Sequence, residues 1–529
     1  MLFNSFEFLF LFFPFTVAVF GFLRRFGERA QQLALLTASL IFYASWDVRF
    51  LSLLLGSVLI NHRLGHMIWA RAHHQRERAA SLLLALGVGA NLLAIGVFKY
   101  AGFLAGNLNA LMGTDILVGA IILPLGISFF TFEQISFLVD VRRGQIAPSD
   151  LLRYALFVSF FPRVVAGPIL RFGEINPQLT RTHGRAVVGE DLIVGMTIFF
   201  FGMVKKTVLA DGIAPYAISV FQSATRGSKV DFFAAWAGVL AYTCQLYFDF
   251  SGYSDMAIGA ARCFGIRFPM NFFSPYQATS VIEFWRRWHI TLSRSLRDYL
   301  YIGLGGNRRG STRRYVNLMI TMLLGGLWHG ANWTFVFWGG LHGFYLIVNH
   351  IWLAVAEKSP AIAKFRRSGA GAGFGWALTF GSVVVAWVFF RAPSLNAALT
   401  ILKGMTGQNG IAIPAGFAFA LEPIHGLVSA LGITFSNESG SNLVKAYLWI
   451  TALLAIALWA PNTQQLMRAY APVLDLPRTP GLEPSDARRR VLDRVKWAPS
   501  PSWAITTGAI AFVGAISITR VSQFLYWQF

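Results

Sequence analysis

The sequence predicts an all-α polytopic membrane protein with about 11–12 transmembrane helices plus re-entrant or interfacial helices. Of its 529 residues, 55% are hydrophobic and only 13% are charged, whereas roughly 25% of the residues of a soluble protein are charged. The net charge is +21, but the basic residues fall in short clusters between apolar runs. Such clusters indicate cytoplasmic loops that face anionic lipid, and they argue against a nucleic-acid partner.

The order of apolar runs and basic clusters predicts a topology. If the N-terminus lies outside, every basic cluster falls on one face, so we expect both termini on the outer face and the basic loop 71–78 in the cytoplasm. The first run lacks a basic n-region and a small-residue cleavage site, which favours a retained helix over a signal peptide. The predicted spans are residues 3–23, 31–46, 48–70, 81–104, 116–139, 188–211, 232–261, 315–328, 333–351, 374–391, 445–460 and 503–521.

The chain is predicted to be a single membrane domain over residues 1–529, with a core of about 81–351, because no internal repeat or sizeable soluble segment is visible. Residues 392–444 are expected to form an outer loop. Residues 462–500 are rich in Pro, Arg and Asp and are expected to form a polar cytoplasmic loop.

Two stretches carry polar residues inside apolar sequence. The run at 151–175 is interrupted by Pro162, Arg163, Gly167 and Pro168. Because freed backbone groups at membrane depth must be satisfied by protein or by a water-filled cavity, we expect a re-entrant or interfacial element there that lines a cavity. The run at 232–261 contains two acidic residues. We expect them to form buried ion pairs with arginines of the interrupted segments, which is favoured over a catalytic role. The two acidic residues are Asp249 and Asp255.

Residues 276–314 contain too many arginines and aromatic residues to span a bilayer. At helical spacing, large apolar side chains fall on one face and arginines on the others, which predicts an amphipathic interfacial helix. The helix could anchor to lipid headgroups, or its arginines could form a vestibule for an anionic donor such as a phosphopantetheine or coenzyme A thioester. The apolar set is Trp285, Trp288, Leu292 and Leu296, and the basic set is Arg286, Arg287, Arg294 and Arg297.

Three histidines follow in or beside this region: His289, His329 and His342. Fourteen residues separate His329 from Arg314, a helical climb of only ~21 Å against a hydrocarbon core of ~30 Å. A polar group at that depth is costly. A buried packing role is the plain alternative, but the adjoining Gly and Asn and the second histidine nearby favour a functional role. His342 could line a tunnel or simply pack.

No metal site is predicted. His62 and His66 have metal-type spacing but lie beside Arg63 without an acidic third ligand, so an interfacial role is favoured. Cys244 and Cys263 lie in an apolar stretch, which argues against a disulfide framework and against a thiolate site.

Several long motifs resemble the membrane-bound O-acyltransferase (MBOAT) family. They are similar to its bacterial branch, which contains the alginate O-acetylation membrane protein and the D-alanyl transfer protein of teichoic acids. The resemblance covers nearly the whole chain and becomes thin only at 462–500. The motifs are PLGISFFTFEQISFLVD, FFPRVVAGPI, YFDFSGYSDMAIG, NFFSPYQATSVIEFWRRWHITLSRSLRDYLYIGLGGN, LLGGLWHGANWTFVFWGGLHG, WVFFRAPS at 387–394 and the terminal FLYWQF.

This resemblance implies a fold and a site. The fold is a ring of tilted helices around a thinned centre pierced by a tunnel, in a bacterial inner membrane. His329 takes the position of the family's essential histidine, and His289 takes the position of a second histidine that is common in the family. The resemblance to this branch implies that the acyl group is acetyl, that the acceptor is an exopolysaccharide such as alginate, and that the protein lies in a lipid bilayer.

Acyl transfer from a thioester to a hydroxyl needs a base and donors for the oxyanion. We therefore expect His329 to act as the base or to orient the hydroxyl, with His289 near the thioester and Asn332 as a possible oxyanion donor. Arg286 and Arg287 would hold the donor. Trp285 and Trp328 would line the donor site or tunnel. No tightly bound cofactor is expected, since acetyl-CoA or an acyl carrier would be a substrate.

The sequence leaves the final acceptor open. The chain could modify the polymer directly, or it could relay acetyl groups to a periplasmic acetyltransferase on the outer face. A transporter or polysaccharide-export channel is the alternative from another class, because interrupted helices and buried charges fit it too. The lack of an internal repeat and the RWH and WHG pair favour acyl transfer.

Overall fold

The structure is a computed structural model, and it describes residues 1–119, 121–180, 189–430, 432–436, 440–474, 492–519 and 525. Regular structure in these residues is helical except for two short parallel strands, β1 (Ile411–Pro414) and β2 (Ile433–Ser436). The first helices are α1 Phe13–Leu23, α2 Glu28–Ala44, α3 Arg49–His73, α4 Glu77–Ile95, α5 Ala101–Met112, α6 Ile127–Arg142, α7 Leu151–Ser159, α8 Phe172–Leu179, α9 Gly189–Val204, α10 Asp211–Thr225 and α11 Phe232–Cys263.

The second half of the chain continues in the same way. Its helices are α12 Val281–Arg287, α13 Ile290–Ser295, α14 Gly310–His329, α15 Trp333–Lys358, α16 Pro360–Arg367, α17 Gly369–Arg391, α18 Leu395–Met405, α19 Ala418–Leu421, α20 His425–Ala430, α21 Gly440–Trp459, α22 Thr463–Leu466 and α23 Pro501–Ile516. Wider π-helical turns adjoin several of the helices, at Glu7–Phe12, Gly96–Tyr100, Lys205–Ala210 and Leu296–Tyr301. Short 3₁₀ turns lie at Arg24–Phe26, Pro275–Gln277, Ala415–Phe417, Glu422–Ile424, Arg468–Tyr470 and Ser517–Thr519.

Six helical segments within the described residues are long and apolar enough to cross a membrane. This agrees with the predicted class, an all-α polytopic membrane protein. Helices α2, α3 and α14 occupy the predicted spans at 31–46, 48–70 and 315–328. The six segments are Glu7–Phe26, Glu77–Met112, Gly189–Thr225, Trp333–Lys358, Gly369–Arg391 and Asn442–Trp459.

The predicted span at 116–139 is wrong in its first part. The described residues from 113 to 126 are not helical, and α6 begins only at Ile127. Gly126 precedes α6 with φ +67°, and a Cβ there would lie 2.2 Å from the carbonyl oxygen of Val164. Apolar composition alone therefore does not make this segment helical, because Pro124 and the left-handed Gly126 set a turn before α6.

Residues 392–444, predicted as an outer loop, contain regular structure. α18 spans Leu395–Met405, and β1 pairs with β2 in parallel register, Ile411 opposite Ile433. The predicted polar loop 462–500 is described only at its ends. There α22 and residues 492–500 are ordered, and residues 475–491 lie outside the described part of the chain.

The chain divides into two compact units. The first comprises Met1–Val204, Gly252–Asn271 and Thr463–Val521. The second comprises Lys205–Ser251, Phe272–Asn462 and Ser522–Phe529. All three histidines of interest, His289, His329 and His342, belong to the second unit.

A buried ion pair supports the interrupted segment of the first unit. α7 ends at Ser159, and the chain then runs without helix to α8, buried throughout residues 160–170. Arg163 pairs with Glu133 of α6, and both side chains are almost fully buried. Arg163 also donates to the carbonyl of Phe157 at 2.9 Å, and Glu133 accepts from the backbone N–H of Leu170 at 2.9 Å. The predicted interruption is confirmed, and protein groups satisfy its backbone.

The two acidic residues of α11 have partners other than the predicted arginines. Asp249 pairs with Lys206 at 2.6 Å and accepts from the backbone N–H of Leu525 at 3.1 Å, all within the second unit. Asp255 accepts from Thr463 and from Gln464, each at 2.7 Å, within the first unit. For Asp249 the expectation of an arginine partner is wrong, because tertiary packing brings Lys206 to its carboxylate. Two uncharged side chains donate to Asp255.

Close backbone contact joins the helices that carry His329 and His342. A Cβ on Gly326 of α14 would lie 2.2 Å from the carbonyl oxygen of Phe335 in α15, and one on Gly339 would lie 2.3 Å from that of Met322. Only glycine fits such distances, so α14 and α15 form a tightly packed hairpin. The glycines of the motif thus place the two histidine-bearing helices side by side.

Candidate active site

His329 is the last residue of α14, where the chain turns sharply into α15. Its side chain is buried, and three aromatic rings surround it. The centroids of Trp328, Trp338 and Phe390 lie 5.0, 5.0 and 5.1 Å from that of the imidazole. The sequence thus places a proton-accepting group at a helix end, buried among aromatic rings. Such a setting holds an imidazole in a fixed orientation.

His289 lies at a break between α12 and α13, with φ 41° and ψ 54°. The left-handed region is rare for a residue with a side chain, and holding it there costs about 1–3 kcal/mol. The imidazole is fully buried, 4.7 Å from the ring of Phe250 and 6.3 Å from that of Phe272. Strain of this kind is found at functional sites, which favours a role for His289 beyond packing.

This break also corrects the prediction of one continuous amphipathic helix. Residues 281–295 form two short helices that change direction at His289. Trp288 and Leu292 are buried, and so is Leu296 in the following turn. These residues pack inside the protein, because the alternation of apolar and basic residues does not show which medium covers the apolar side.

Tryptophan rings connect the three histidines into one row. Trp328 lies 6.2 Å from His289 and 5.0 Å from His329. Trp338 lies 5.0 Å from His329 and 4.9 Å from His342. All five residues belong to the second unit, so the structure brings together the two histidines that the sequence singled out and adds the third.

His342 has one ring nitrogen engaged and one without a partner. Nδ1 accepts from the indole N–H of Trp285 at 3.3 Å. Nε2 is buried and has no hydrogen-bond partner among the described residues, and the same holds for Nε1 of Trp338. Buried polar atoms are normally hydrogen-bonded, so these two mark the row as more than ordinary packing.

Trp338, Trp387 and Phe390 belong to the site but were not predicted as site residues. Trp387 stacks on Trp338 at 6.0 Å and lies 5.0 Å from Trp288. Trp338 and Phe390 both contact His329. The motifs FVFWGGLHG and WVFFRAPS contain them, and the spacing of four residues between Trp338 and His342 places both on one helix face. That spacing was the sequence signal that could have identified Trp338 as a site residue.

The two arginines before His289 differ in their surroundings. Arg287 is buried, pairs with Glu283 at 2.7 Å and donates to the carbonyl of Phe273 at 3.2 Å. Arg286 is exposed and has no ion pair among the described residues. Arg287 therefore stabilises the local fold, whereas the guanidinium of Arg286 is the one open to an anionic ligand.

Asn332 caps the N-terminus of α15. Its Oδ1 accepts from the backbone N–H of Thr334 at 3.0 Å, and its amide nitrogen donates to the carbonyl of Pro393 at 3.0 Å. Both ends of the amide are thus used to fix the turn that follows His329. In this structure Asn332 positions the turn rather than presenting a donor into the row.

The comparisons with known proteins identify the family of the chain. The family model described as "MBOAT, membrane-bound O-acyltransferase family" matches residues 40–385. The chain belongs to the membrane-bound O-acyltransferase family. The match contains His289, His329 and His342, and it confirms the resemblance identified from the motifs. As a member of this family the protein is a membrane O-acyltransferase, an enzyme that transfers an acyl group to a hydroxyl oxygen.

Curated relatives show which members of this O-acyltransferase family the chain is similar to. A probable alginate O-acetylase of Pseudomonas putida is 45% identical over 413 residues, which cover 77% of this chain and 80% of the relative. A peptidoglycan O-acetyltransferase of Helicobacter pylori is 41% identical over 445 residues, covering 78% and 81%. A probable alginate O-acetylase of Azotobacter vinelandii is 38% identical over the full length of both chains.

Proposed function

We propose that this O-acyltransferase moves an acetyl group from a cytoplasmic thioester donor toward a hydroxyl of an exopolysaccharide such as alginate. The observation that carries the proposal is the row in which Trp328 contacts both His289 and His329. The relatives are named as acetylases of two glycans, alginate and peptidoglycan, which supports acetyl as the acyl group and a polysaccharide as the acceptor.

In the proposed reaction His329 accepts the proton of the acceptor hydroxyl. The hydroxyl oxygen attacks the thioester carbonyl carbon, and a tetrahedral oxyanion forms. The carbon–sulfur bond then breaks, and the leaving thiolate takes the proton from His329. The products are an O-acetyl ester and a free thiol. A neutral imidazole suits this step because it both accepts and returns one proton and is less costly to bury than a carboxylate.

His289 is proposed to stand beside the thioester, held by its left-handed backbone. Arg286, exposed near the start of this segment, would attract the negatively charged part of acetyl-CoA or of an acyl carrier. Trp285 and Trp328 would line the donor path with apolar surface.

The proposed topology follows from the positive-inside rule. Both termini would lie outside the inner membrane, with 71–78 and 462–500 in the cytoplasm. The acceptor would then be reached on the outer face, either directly or through a periplasmic acetyltransferase that passes the acetyl group on. The alternative of a transporter or export channel without acyl transfer does not fit the family to which the chain belongs.

One experiment separates these functions. Purified protein in detergent or nanodiscs is given acetyl-CoA or an acetylated carrier, and release of free thiol is followed with and without an oligosaccharide acceptor. Acyl transfer predicts thiol release that depends on His329, and direct modification predicts that the oligosaccharide gains acetyl groups. A transporter consumes no thioester, so absence of thiol release with every donor in an active, folded preparation would disprove the proposal. Cells lacking the protein should also lose O-acetyl groups from one polymer.

A further inference from the structure

A groove with no assigned role lies in the second unit, between the two helices that follow the WHG motif. Its volume is about 740 Å³, which falls within the range of roughly 300–1,000 Å³ that is typical of ligand pockets. α15 and α17 form its walls, α16 closes one end, and the residues just before α12 contribute the rest. It does not include any of the histidines discussed above.

The walls of the groove are mostly apolar. Val348 and Trp352 of α15 and Phe374 and Leu378 of α17 line it, and all four are exposed. α15 and α17 are both among the helices long and apolar enough to cross a membrane. Because exposed apolar side chains on spanning helices face lipid chains, we expect the groove to be reached from the bilayer.

One end of the groove is basic. Arg366 and Arg367, in the last turn of α16, line it and are exposed. In the described part of the chain neither arginine has a carboxylate within 4 Å. Two adjacent guanidinium groups match the oxygens of a phosphate. They belong to a basic cluster between two spanning helices, and the positive-inside rule predicts such clusters in the cytoplasm, where anionic lipids are recognised by basic pockets between membrane helices.

We propose that this groove binds one anionic phospholipid. The arginines of α16 take the phosphate, and the apolar walls formed by α15 and α17 take the acyl chains. A lipid fits better than a soluble anion because the long axis of the site is lined with exposed hydrophobic residues of two spanning helices, and a soluble anion would leave these unused. The inference does not rest on the proposed transfer reaction.

A bound lipid would also stabilise the segment that leads to His289. Val281, the first residue of α12, lines the groove and packs in a buried cluster with Met322 of α14 and Leu346 of α15. Asn349 of α15 lines the groove and accepts from the backbone N–H of Ile282 at 3.2 Å. Occupancy of the groove therefore bears on how α12 packs against α15, and we expect the lipid to raise the melting temperature of the protein.

The test measures lipid binding to the purified protein by native mass spectrometry. Delipidated wild-type protein is titrated with phosphatidylglycerol and, separately, with zwitterionic phosphatidylethanolamine. We expect one phosphatidylglycerol to bind preferentially and to raise the melting temperature. The double variant R366Q/R367Q should bind phosphatidylglycerol about 30-fold more weakly, because the loss of each arginine near the headgroup weakens binding about fivefold.

Two further variants serve as controls. R24Q/R25Q removes an equivalent exposed arginine pair at the end of the first span and should leave binding unchanged. V348W keeps both arginines but fills the groove, so it should weaken binding of both lipids. If wild-type protein retains phosphatidylethanolamine as well as phosphatidylglycerol, or if V348W binds as the wild type does, the groove is not an anionic-lipid site. Wild-type binding by a folded R366Q/R367Q variant would overturn the proposal in the same way.

Discussion

The imidazole of His329 and the indole of Trp338 meet edge to face, with ring centroids 5.0 Å apart and an interplanar angle of 89°. Trp338 holds the same kind of contact with His342 on its other side, at 4.9 Å. One buried indole thus fixes the orientation of the proposed base and connects it to a histidine that the sequence left unassigned. The predictions below test this arrangement and the framework around it.

The first prediction concerns His329. His329→Gln keeps a hydrogen-bonding side chain of similar size but cannot accept and return a proton. We expect it to lose a factor of about 10²–10⁴ in the rate of acetyl transfer, equivalent to roughly 3–5 kcal/mol of barrier. The measurement is O-acetylation in cells that express the variant at wild-type level, together with thiol release by purified protein.

His329→Ala should fail as badly, but its truncation also leaves a cavity beside Trp338, so its melting temperature must be measured alongside. If the Gln variant retains near-normal acetylation at equal abundance, His329 has a structural role and the mechanism is wrong.

The second prediction concerns Trp338. Trp338→Phe keeps an aromatic ring yet removes the larger indole that contacts both His329 and His342. A misplacement of about 1 Å in a reacting group costs on the order of 10²-fold in rate, so we expect a loss of that size in kcat with a small change in donor KM. The matched control is Trp333→Phe, an exposed tryptophan at the start of the same helix. Equal behaviour of the two variants would show that Trp338 does not position His329.

The third prediction separates the two arginines before His289. Arg286→Gln removes an exposed charge and should raise the donor KM about fivefold, as for a charge pair contributing ~1 kcal/mol. High salt should reproduce part of this effect in the wild type. Arg287→Gln breaks the pair with Glu283 and should lower the melting temperature instead. The control is Arg308→Gln, an exposed arginine in the loop before α14. An unchanged KM in Arg286→Gln would remove Arg286 from the donor site.

The fourth prediction concerns the ion pair of Lys206 and Asp249, which are 4% and 1% exposed. Lys206→Met leaves Asp249 buried without its cation and should lower the free energy of unfolding by about 3–5 kcal/mol. The double variant K206M/D249N should recover much of this loss, because the fully buried carboxylate is then neutral and Asp211, the other partner of Lys206 at 2.9 Å, is partly exposed. Arg49→Gln, which breaks an exposed pair with Asp47, should leave the stability close to that of the wild type, because solvent screens exposed pairs. Thermal unfolding in detergent measures all four proteins.

If K206M is as stable as the wild type, the pair contributes little to the fold. If the double variant is no better than K206M, the loss comes from Lys206 itself rather than from an orphaned carboxylate.

The fifth prediction concerns topology. A cysteine at His74, in the basic loop 71–78, should resist a membrane-impermeant thiol reagent in intact cells. A cysteine at Thr114, in the next connection, should react, because the helices between these positions cross the bilayer once in the proposed topology. Cys244 and Cys263 are buried, and the unsubstituted protein is the labelling control. Rapid labelling of His74→Cys with none at Thr114→Cys would show that the true orientation is the reverse of the predicted one.

Local sequence patterns were sufficient where a feature depends on neighbours in the chain. The interruption of the segment at Pro162 and Gly167 was predictable because proline and glycine act on their own backbone. Asn332 is different: the sequence identified it as polar and close to His329, but only the structure shows that its amide is occupied by the cap of α15 and by Pro393.

The sequence by itself determined that this chain is a helical membrane protein, that it belongs to the O-acyltransferase family, and that His289 and His329 are its candidate catalytic residues. Composition and long motifs carry that information without reference to distance. Only the tertiary structure decided that the helix breaks at His289, that Lys206 is the partner of Asp249, and that Trp338 and Trp387 enclose the histidines. These features depend on side chains far apart in the chain, and no local pattern specifies which of several arginines, lysines or tryptophans packing will bring together.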